Sequence, residues 1–444
     1  MDPVCTRVHA VYHRNSQPAP AQHSMTEPAP ATAGRTGTWT ALSNPAFRNF
    51  WIFSFLAFIG ASMQSVGAGW LMTQLDPSPL LVGMVQGSFT LSQFLMALPA
   101  GVVADLIDRR WVMAGALGCM MLAVMLLGAA TLTGGVSPTV LIAMTFLFGL
   151  AAATMTPAMQ ATMPDLVTRE LLPSALTLNG MTVSVARAVG PGLAGLMLGW
   201  WGAGNTFLLN GLAFVGLFVV VLRWRNRPAS LTPAESGFGA ALRAGLRFTM
   251  ANPPVRRLVT KSAGSFFAVS ILLALIPAIV ERGLGGRPQT LGLLLGCFGL
   301  GSVLASFALG RLYQRLSRSR VIDLANVTHG IAVLCIASGN LALSVPAMFL
   351  AGLSWTAITT SVNIVAQLLL PAEFRARGLA INMMAMMGSL TLGAALWGEL
   401  ASLAGLQTAF LVAGTLGVLM PLLTSRLRLV EQLPGTSPAA DAAP

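Results

Sequence analysis

The chain has 444 residues, 55% of them hydrophobic and 9% charged, with a mean hydropathy of +0.73. A soluble core of this size cannot hide so much apolar surface, so the excess must face lipid. The formal charge of +12 does not mark a nucleic-acid binder, because the arginines fall between apolar runs and no separate basic domain is present to hold a duplex.

Residues 1–43, rich in Ala, Pro, Thr, Ser and Gln, read as a disordered cytoplasmic tail without the continuous apolar region of a secretory signal. A bilayer core about 30 Å thick takes about 20 apolar residues per helix. On that measure the chain holds twelve spans, near 48–72, 79–104, 112–133, 138–160, 174–200, 204–222, 258–280, 289–312, 321–342, 345–370, 378–400 and 405–425. Arg187 falls within span five, and Arg282 and Arg287 follow span seven. The other lysines and arginines are assigned to the tails and to loops after even-numbered spans, which predicts cytoplasmic termini in a cell (inner) membrane. The predicted fold is all-α and membrane-integral, with six-helix bundles at 44–222 and 252–428, a cytoplasmic linker at 223–251 and a disordered tail at 429–444. Around Phe238–Met250 the linker reads equally as an amphipathic surface helix or a solvated segment. Cys119, Cys297 and Cys335 lie in apolar runs, as packing residues do.

The two halves repeat. NPAFRNF at Asn44 returns as NPPVRRL at Asn252, an offset of 208. At an offset of 203, Gly149, Glu170, Asn179, Gly190 and Gly195 match Gly352, Glu373, Asn382, Gly393 and Gly398, and Gly101 matches Gly310 at 209. Three such sets in chain order indicate a duplicated six-helix unit.

Charge is concentrated in GVVADLIDRRW, Gly101 to Trp111, between spans two and three. Asp105 at the membrane boundary can accept from free amino-terminal N–H groups of a neighbouring helix, while Arg109 and Arg110 suit an anionic inner surface. The pattern G-x-x-x-D-x-x-D-R-R resembles the signature loop of the major facilitator superfamily, with Leu106 in place of a basic residue and Asp108 in place of a glycine. The resemblance covers nearly the whole chain outside the tails, including a degenerate second copy, GRLYQRLSRSR, in which Gln314 stands where Asp105 would be. It implies a gate built on Gly101, Asp105, Asp108, Arg109 and Arg110, in which Asp105 latches the cytoplasmic side against the helix beginning near Gly378, with Arg375 and Arg377 as partners. The alternative is a loop whose charges only anchor topology.

Buried ionisable groups cost roughly 2.5–3.5 kcal/mol on insertion scales and are functional suspects. Arg187 precedes GPGLAG, with Gly190, Pro191, Gly192 and Gly195, which resembles the superfamily's span-five antiporter motif. The arginine is read as a cavity counter-ion for substrate or as a structural tie to carbonyls. The span-four arginine of many proton-coupled exporters is missing, with Thr145 and Phe148 at its motif. The span-five arginine with GP and the run QATMPDLVTRELLPSALTLNG are more similar to the enterobactin-exporter-like branch, which implies siderophore or drug export. Gln64, Gln86, Gln93, Asn179 and Asn382 are substrate-binding candidates, with helix-to-helix hydrogen bonding as the other reading. The methionines at Met383, Met384, Met386 and Met387 read as pocket or packing residues. Asp323, His329, Glu281 and Glu399 are the groups available to carry a proton, each also explicable as an interfacial or packing residue.

No nucleotide-binding loop or metal-ligand spacing occurs, so no cofactor, metal or catalytic residue is assigned. The predicted partners are a small-molecule substrate, protons as coupling ion and the bilayer, around a monomer. A secondary active exporter is one reading. The alternatives are a receptor or scaffold that kept the fold without transport, or an uptake carrier.

Overall fold

The computed structural model describes residues 39–97, 99–224, 247, 249–370 and 375–425, and the side chains of 102, 104–106 and 375–377 lie outside that description. The tail at 1–38, the residues after 425 and nearly all of the Phe238–Met250 segment are outside it as well. The helices are α1 (Pro45–Leu75), α2 (Pro79–Met96), α3 (Pro99–Leu106), α4 (Arg109–Leu132), α5 (Pro138–Leu166), α6 (Leu172–Arg223), α7 (Pro253–Gly283), α8 (Pro288–Tyr313), α9 (Arg318–Ala337), α10 (Leu341–Leu369), α11 (Arg375–Ala404) and α12 (Leu406–Leu423).

Ten of these are long and apolar enough to cross a membrane. The expected second span is divided into α2 and α3 where Pro99, lacking an N–H, cannot continue the helical ladder. The fifth and sixth expected spans run together as the 52 residues of α6, broken at Gly202, whose φ of 73° is open to glycine at little cost. Gly405, its counterpart at the same offset, has φ of 90° and stands between α11 and α12. Twelve traverses result, in two pseudo-symmetric bundles.

The helix starts show the duplication most directly. Asn44 and Asn252 are the N-caps of α1 and α7, each followed by proline, whose missing N–H is harmless in the first turn. Asp108 caps α4 and Ser317 caps α9, each accepting from the backbone N–H two or three residues on. Ser137 caps α5 and Asn340 caps α10 in the same way. Different cap residues at matched positions do one job, satisfying an otherwise orphaned N–H.

Packing repeats too. Gly149 faces the Phe89 carbonyl and Gly352 the Phe298 carbonyl; Gly190 lies against Ser62 and Gly393 against Ser270. The halves meet along two related crossings, α6 on α8 and α2 on α11. A Cβ on Gly195 would stand 2.4 Å from the Gly292 Cα, and one on Gly83 would stand 2.6 Å from the Ala394 carbonyl oxygen and 3.5 Å from the Gly398 Cα. Glycine at both crossings lets backbones touch, so dispersion contacts replace the hydrophobic effect that lipid cannot supply. Both crossings lie towards the end that carries Asp76, where Arg282 also donates to the Pro77 carbonyl across the halves.

Exposed side chains fit a lipid surround. Leu126, Leu300, Phe307 and Leu422 are 58–78% exposed where a soluble protein would place polar groups. Trp200 and Trp201 ring the Asp76 end, and Trp39 and Trp111 the opposite end, as interfacial belts do.

Candidate functional site

Between the halves lies a cavity of about 420 Å³, within the range of small-molecule sites. Helix α1 contributes Ser62 and Ser65, α2 contributes Gln86, and α6 contributes Ser184, Arg187 and Pro191. From the second half come Leu273 and Pro277 of α7, Phe298, Ser302 and Ser306 of α8, and Trp355, Thr356 and Thr359 of α10. Arg187 is the one charged side chain in this wall among the described residues. It is exposed to the lumen, and no hydrogen bond or ion pair to it occurs among the described residues. The repeat places buried Leu390 at its counterpart in α11, so the cavity's charge is one-sided. Ser65 and Gln86 line the cavity from the first half, and their counterparts Leu273 and Leu295 line it from the second, together with the hydroxyl groups of α8 and α10.

The other polar candidates are placed differently. Gln86 lines the cavity and accepts from Ser65 at 3.5 Å. Gln64 is 2% exposed and accepts from Asn210 at 3.4 Å, tying α1 to α6. Gln93 donates to the Gly149 carbonyl at 3.2 Å, tying α2 to α5. Asn179 is half-buried and Asn382 is 4% exposed, and neither lines the cavity. Met383, Met384, Met386 and Met387 are also outside its wall. The GPGLAG segment serves packing and lumen together: Gly190 abuts α1, Gly192 and Gly195 abut Gly292, and Pro191 lines the cavity.

In the charged loop, Asp108 caps α4 by accepting from the Arg110 N–H at 2.9 Å. Arg109 donates to the Ala161 carbonyl at 2.9 Å and pairs with Asp165 at 3.2 Å, holding α4 to α5. Arg110 donates to the Leu222 carbonyl at the end of α6 and stacks 5.4 Å from the Trp111 ring. Those three charges are engaged within their own half. The side chains of Asp105, Arg375 and Arg377 are outside the described residues, and no described atom comes within 4 Å of where a Gly101 Cβ would stand.

Lys261 was assigned above to the loops, yet it sits in the third turn of α7, 2% exposed. Its amine reaches Asp323 at 2.7 Å and the Ser319 hydroxyl at 3.0 Å, both in the first turns of α9. Its nearness to Arg256 and Arg257 in sequence disguised it; the signal was its place inside the run already assigned to the seventh span, 258–280. His329 is buried at 2% exposure in α9, Glu281 lies 3.8 Å from Arg282 at the Asp76 end, and Glu399 is exposed on α11. None of the four acid or histidine candidates lines the cavity.

A family model for transmembrane secretion effectors matches residues 36–440. The chain belongs to this family. It is a major facilitator superfamily transporter of the branch that holds siderophore and drug exporters, and not an enzyme. It is 22% identical to the staphyloferrin A transporter of Staphylococcus aureus over 82% of this chain and 92% of that protein. It is 27% identical to the multidrug efflux pump Tap of Mycolicibacterium fortuitum over 79% and 88%. With the enterobactin exporter EntS of Shigella boydii the figures are 26% over 61% and 64%. Among solved structures, the nucleoside transporter NupG superposes with a TM-score of 0.74 at 13% identity, over 86% of this chain and 98% of that one. A bacterial homologue of the lysosomal transporter Spinster, inward-facing and unoccupied, gives 0.67 at 16%, over 88% and 98%. The transporter shares their fold.

Proposed function

We propose that this transporter exports a small amphipathic solute, of the siderophore or drug kind, by alternating access coupled to protons across the cell (inner) membrane, working as a monomer. The observation that carries this reading is a cavity built from both halves, with one cation, Arg187, in its described lining and the buried Leu390 at the repeat-related position. Relatives named for siderophore transport and drug efflux support the substrate class. Placing arginine-rich loops inside makes the Asp76 end the outer one. The glycine crossings and the Arg282 contact then close the outer side, and the cavity belongs to an inward-facing state.

The test is counterflow of labelled enterobactin and staphyloferrin A in proteoliposomes, with and without an imposed pH gradient. Exchange accelerated by the gradient is expected. A protein that folds, inserts and exchanges neither compound would be a receptor or scaffold. Uptake into the cell-equivalent compartment alone would make it an importer. Arg187→Ala is expected to reduce exchange at least about tenfold, since charge-assisted hydrogen bonds contribute about 1.5–3 kcal/mol each.

The charged loop divides its labour in this reading. Asp105, one turn from the cap, latches the cytoplasmic side against the start of α11 near Arg375 and Arg377, whereas Asp108 serves the helix start. Asp108→Asn is therefore expected to leave counterflow within about twofold, because Asn caps as well as Asp. Asp105→Asn is expected to slow it severely with insertion intact. Wild-type exchange by the Asp105 variant would return that residue to topology alone.

A further inference from the structure

The hydroxyl groups around the cavity differ from a generic polar lining in one respect: most of their protons are already committed. Ser62 donates to the Phe58 carbonyl at 3.0 Å and Ser184 to the Gly180 carbonyl at 3.0 Å. Ser302 donates to the Phe298 carbonyl at 3.0 Å, Ser306 to the Ser302 carbonyl at 3.2 Å, and Thr359 to the Trp355 carbonyl at 2.8 Å. This back-bonding is how serine and threonine live inside apolar helices. A hydroxyl has one proton and two lone pairs, so what each of these groups still offers the lumen is an acceptor.

The geometry on α8 and α10 gathers those acceptors. Ser302 and Ser306 are one turn apart on α8, and Thr359 lies one turn beyond Trp355 on α10, whose ring is 6.4 Å from Phe298. Helix α8 crosses α6 where Gly299 meets Ala188, the residue next to Arg187. The cavity thus holds in one lumen the five N–H donors of the Arg187 guanidinium, a set of hydroxyl acceptors and the apolar side chains of Trp355, Phe298, Leu273 and Leu295. A cation would meet Arg187 with no acid in the described wall to offset it. A fatty-acid-like anion would satisfy Arg187 and forgo the hydrogen bonds that a donor-bearing solute would make to the hydroxyls' open lone pairs.

We propose that the cavity selects an organic acid that also carries hydrogen-bond donors, a hydroxylated or N–H-bearing carboxylate with an apolar or aromatic part. Arg187 takes the acidic group, Ser302, Ser306 and Thr359 take the donors, and Trp355 with Phe298 covers the apolar part. The proposal rests on the transport reading for its biological meaning, but it concerns equilibrium occupancy of the cavity and is tested without transport.

Three fluorescent probes isolate the features: dansyl-serine, with acid and hydroxyl; dansyl-alanine, lacking the hydroxyl; and dansyl-serinamide, lacking the charge. Saturable fluorescence enhancement on the full chain in nanodiscs is expected for dansyl-serine. Affinity is expected to fall about tenfold or more for the amide and severalfold for the alanine derivative. Arg187→Gln should erase the preference for acid over amide, Arg187→Lys should retain part of it, and the double variant Ser302→Ala, Thr359→Val should erase only the preference for serine over alanine. Thermal midpoints of the variants within a few degrees of wild type would show that folding is not at issue; if Arg187→Gln unfolds, the Lys variant and the double variant still decide. Equal binding of acid and amide by the wild type, an unchanged serine-to-alanine ratio in the double variant, or no saturable binding of dansyl-serine would overturn the proposal. Selective binding without any counterflow would sink the transport reading alone. Counterflow with acid-blind binding would sink this one alone.

Discussion

Replacing Asp323 by Asn is expected to destabilise the detergent-purified protein far more than replacing its partner Lys261 by Met. The Lys261 ammonium is 2% exposed, whereas the Asp323 side chain keeps 30% of its surface. Removing the carboxylate strands a buried cation at the amino-terminal turns of α9, where free N–H groups already carry partial positive charge. Breaking a buried pair in this way costs about 3 kcal/mol or more. Removing the lysine instead leaves an acid that water can reach, and methionine fills much of the vacated space, so the loss should be nearer about 1 kcal/mol. Thermal unfolding followed by tryptophan fluorescence measures both. Equal losses, or the larger loss for Lys261→Met, would show that the pair does not hold α7 to α9 as described.

Gly195→Val is expected to cripple transport. Even a Cβ at that position would stand 2.4 Å from the Gly292 Cα and 2.7 Å from the Pro288 carbonyl oxygen, both backbone atoms that cannot swing aside. Helices α6 and α8 would have to separate, with an overpacking cost of about 1–3 kcal/mol. On the proposed alternating-access cycle, that cost falls only on the state closed at the Asp76 end. A bias of this size shifts a two-state population by about fivefold to more than a hundredfold, so counterflow should fall by about tenfold or more while the protein still inserts. Gly180→Ala, on the same helix with no described atom within 4 Å of its Cβ, is the control and should transport normally. Wild-type exchange in the Gly195 variant would mean that the glycine crossing need not close in the cycle.

Particular residues show how far the sequence could be read. The repeat was visible as glycines and asparagines at fixed offsets, because close backbone crossings and helix caps admit few residue types. Asn44 and Asn252 proved to be matched caps, and Gly195 and Gly398 lie at the Asp76-end crossings, whereas the Gly202 break and the caps at Ser137, Asn340 and Ser317 came only with the structure. Arg187 was conspicuous because a charge inside an apolar span has so few harmless explanations. Gln64 and Gln93, by contrast, looked as eligible as Gln86, and only the packing separates them: one hydrogen bond to Asn210 and one to the Gly149 carbonyl take the first two out of the lumen. Ser302, Ser306 and Thr359 carried almost no sequence signal, since serine and threonine that bond their own helix are ordinary in membrane segments. A helical-wheel reading of α8 and α10 would have set them on one face.

What the amino-acid sequence determined alone is what a single helix or a local turn decides: span number, duplication and the membrane setting. These depend on transfer to lipid and on backbone hydrogen bonding within a few residues. The tertiary structure decided which polar side chains share a lumen, which pair across helices, and that Lys261 belongs with Ser319 and Asp323, 58 and 62 residues away, rather than with its neighbouring arginines. Such choices depend on the rotation of each helix about its axis, set by contacts between distant segments, and a linear pattern of apolar residues on nearly uniform helices leaves that rotation open.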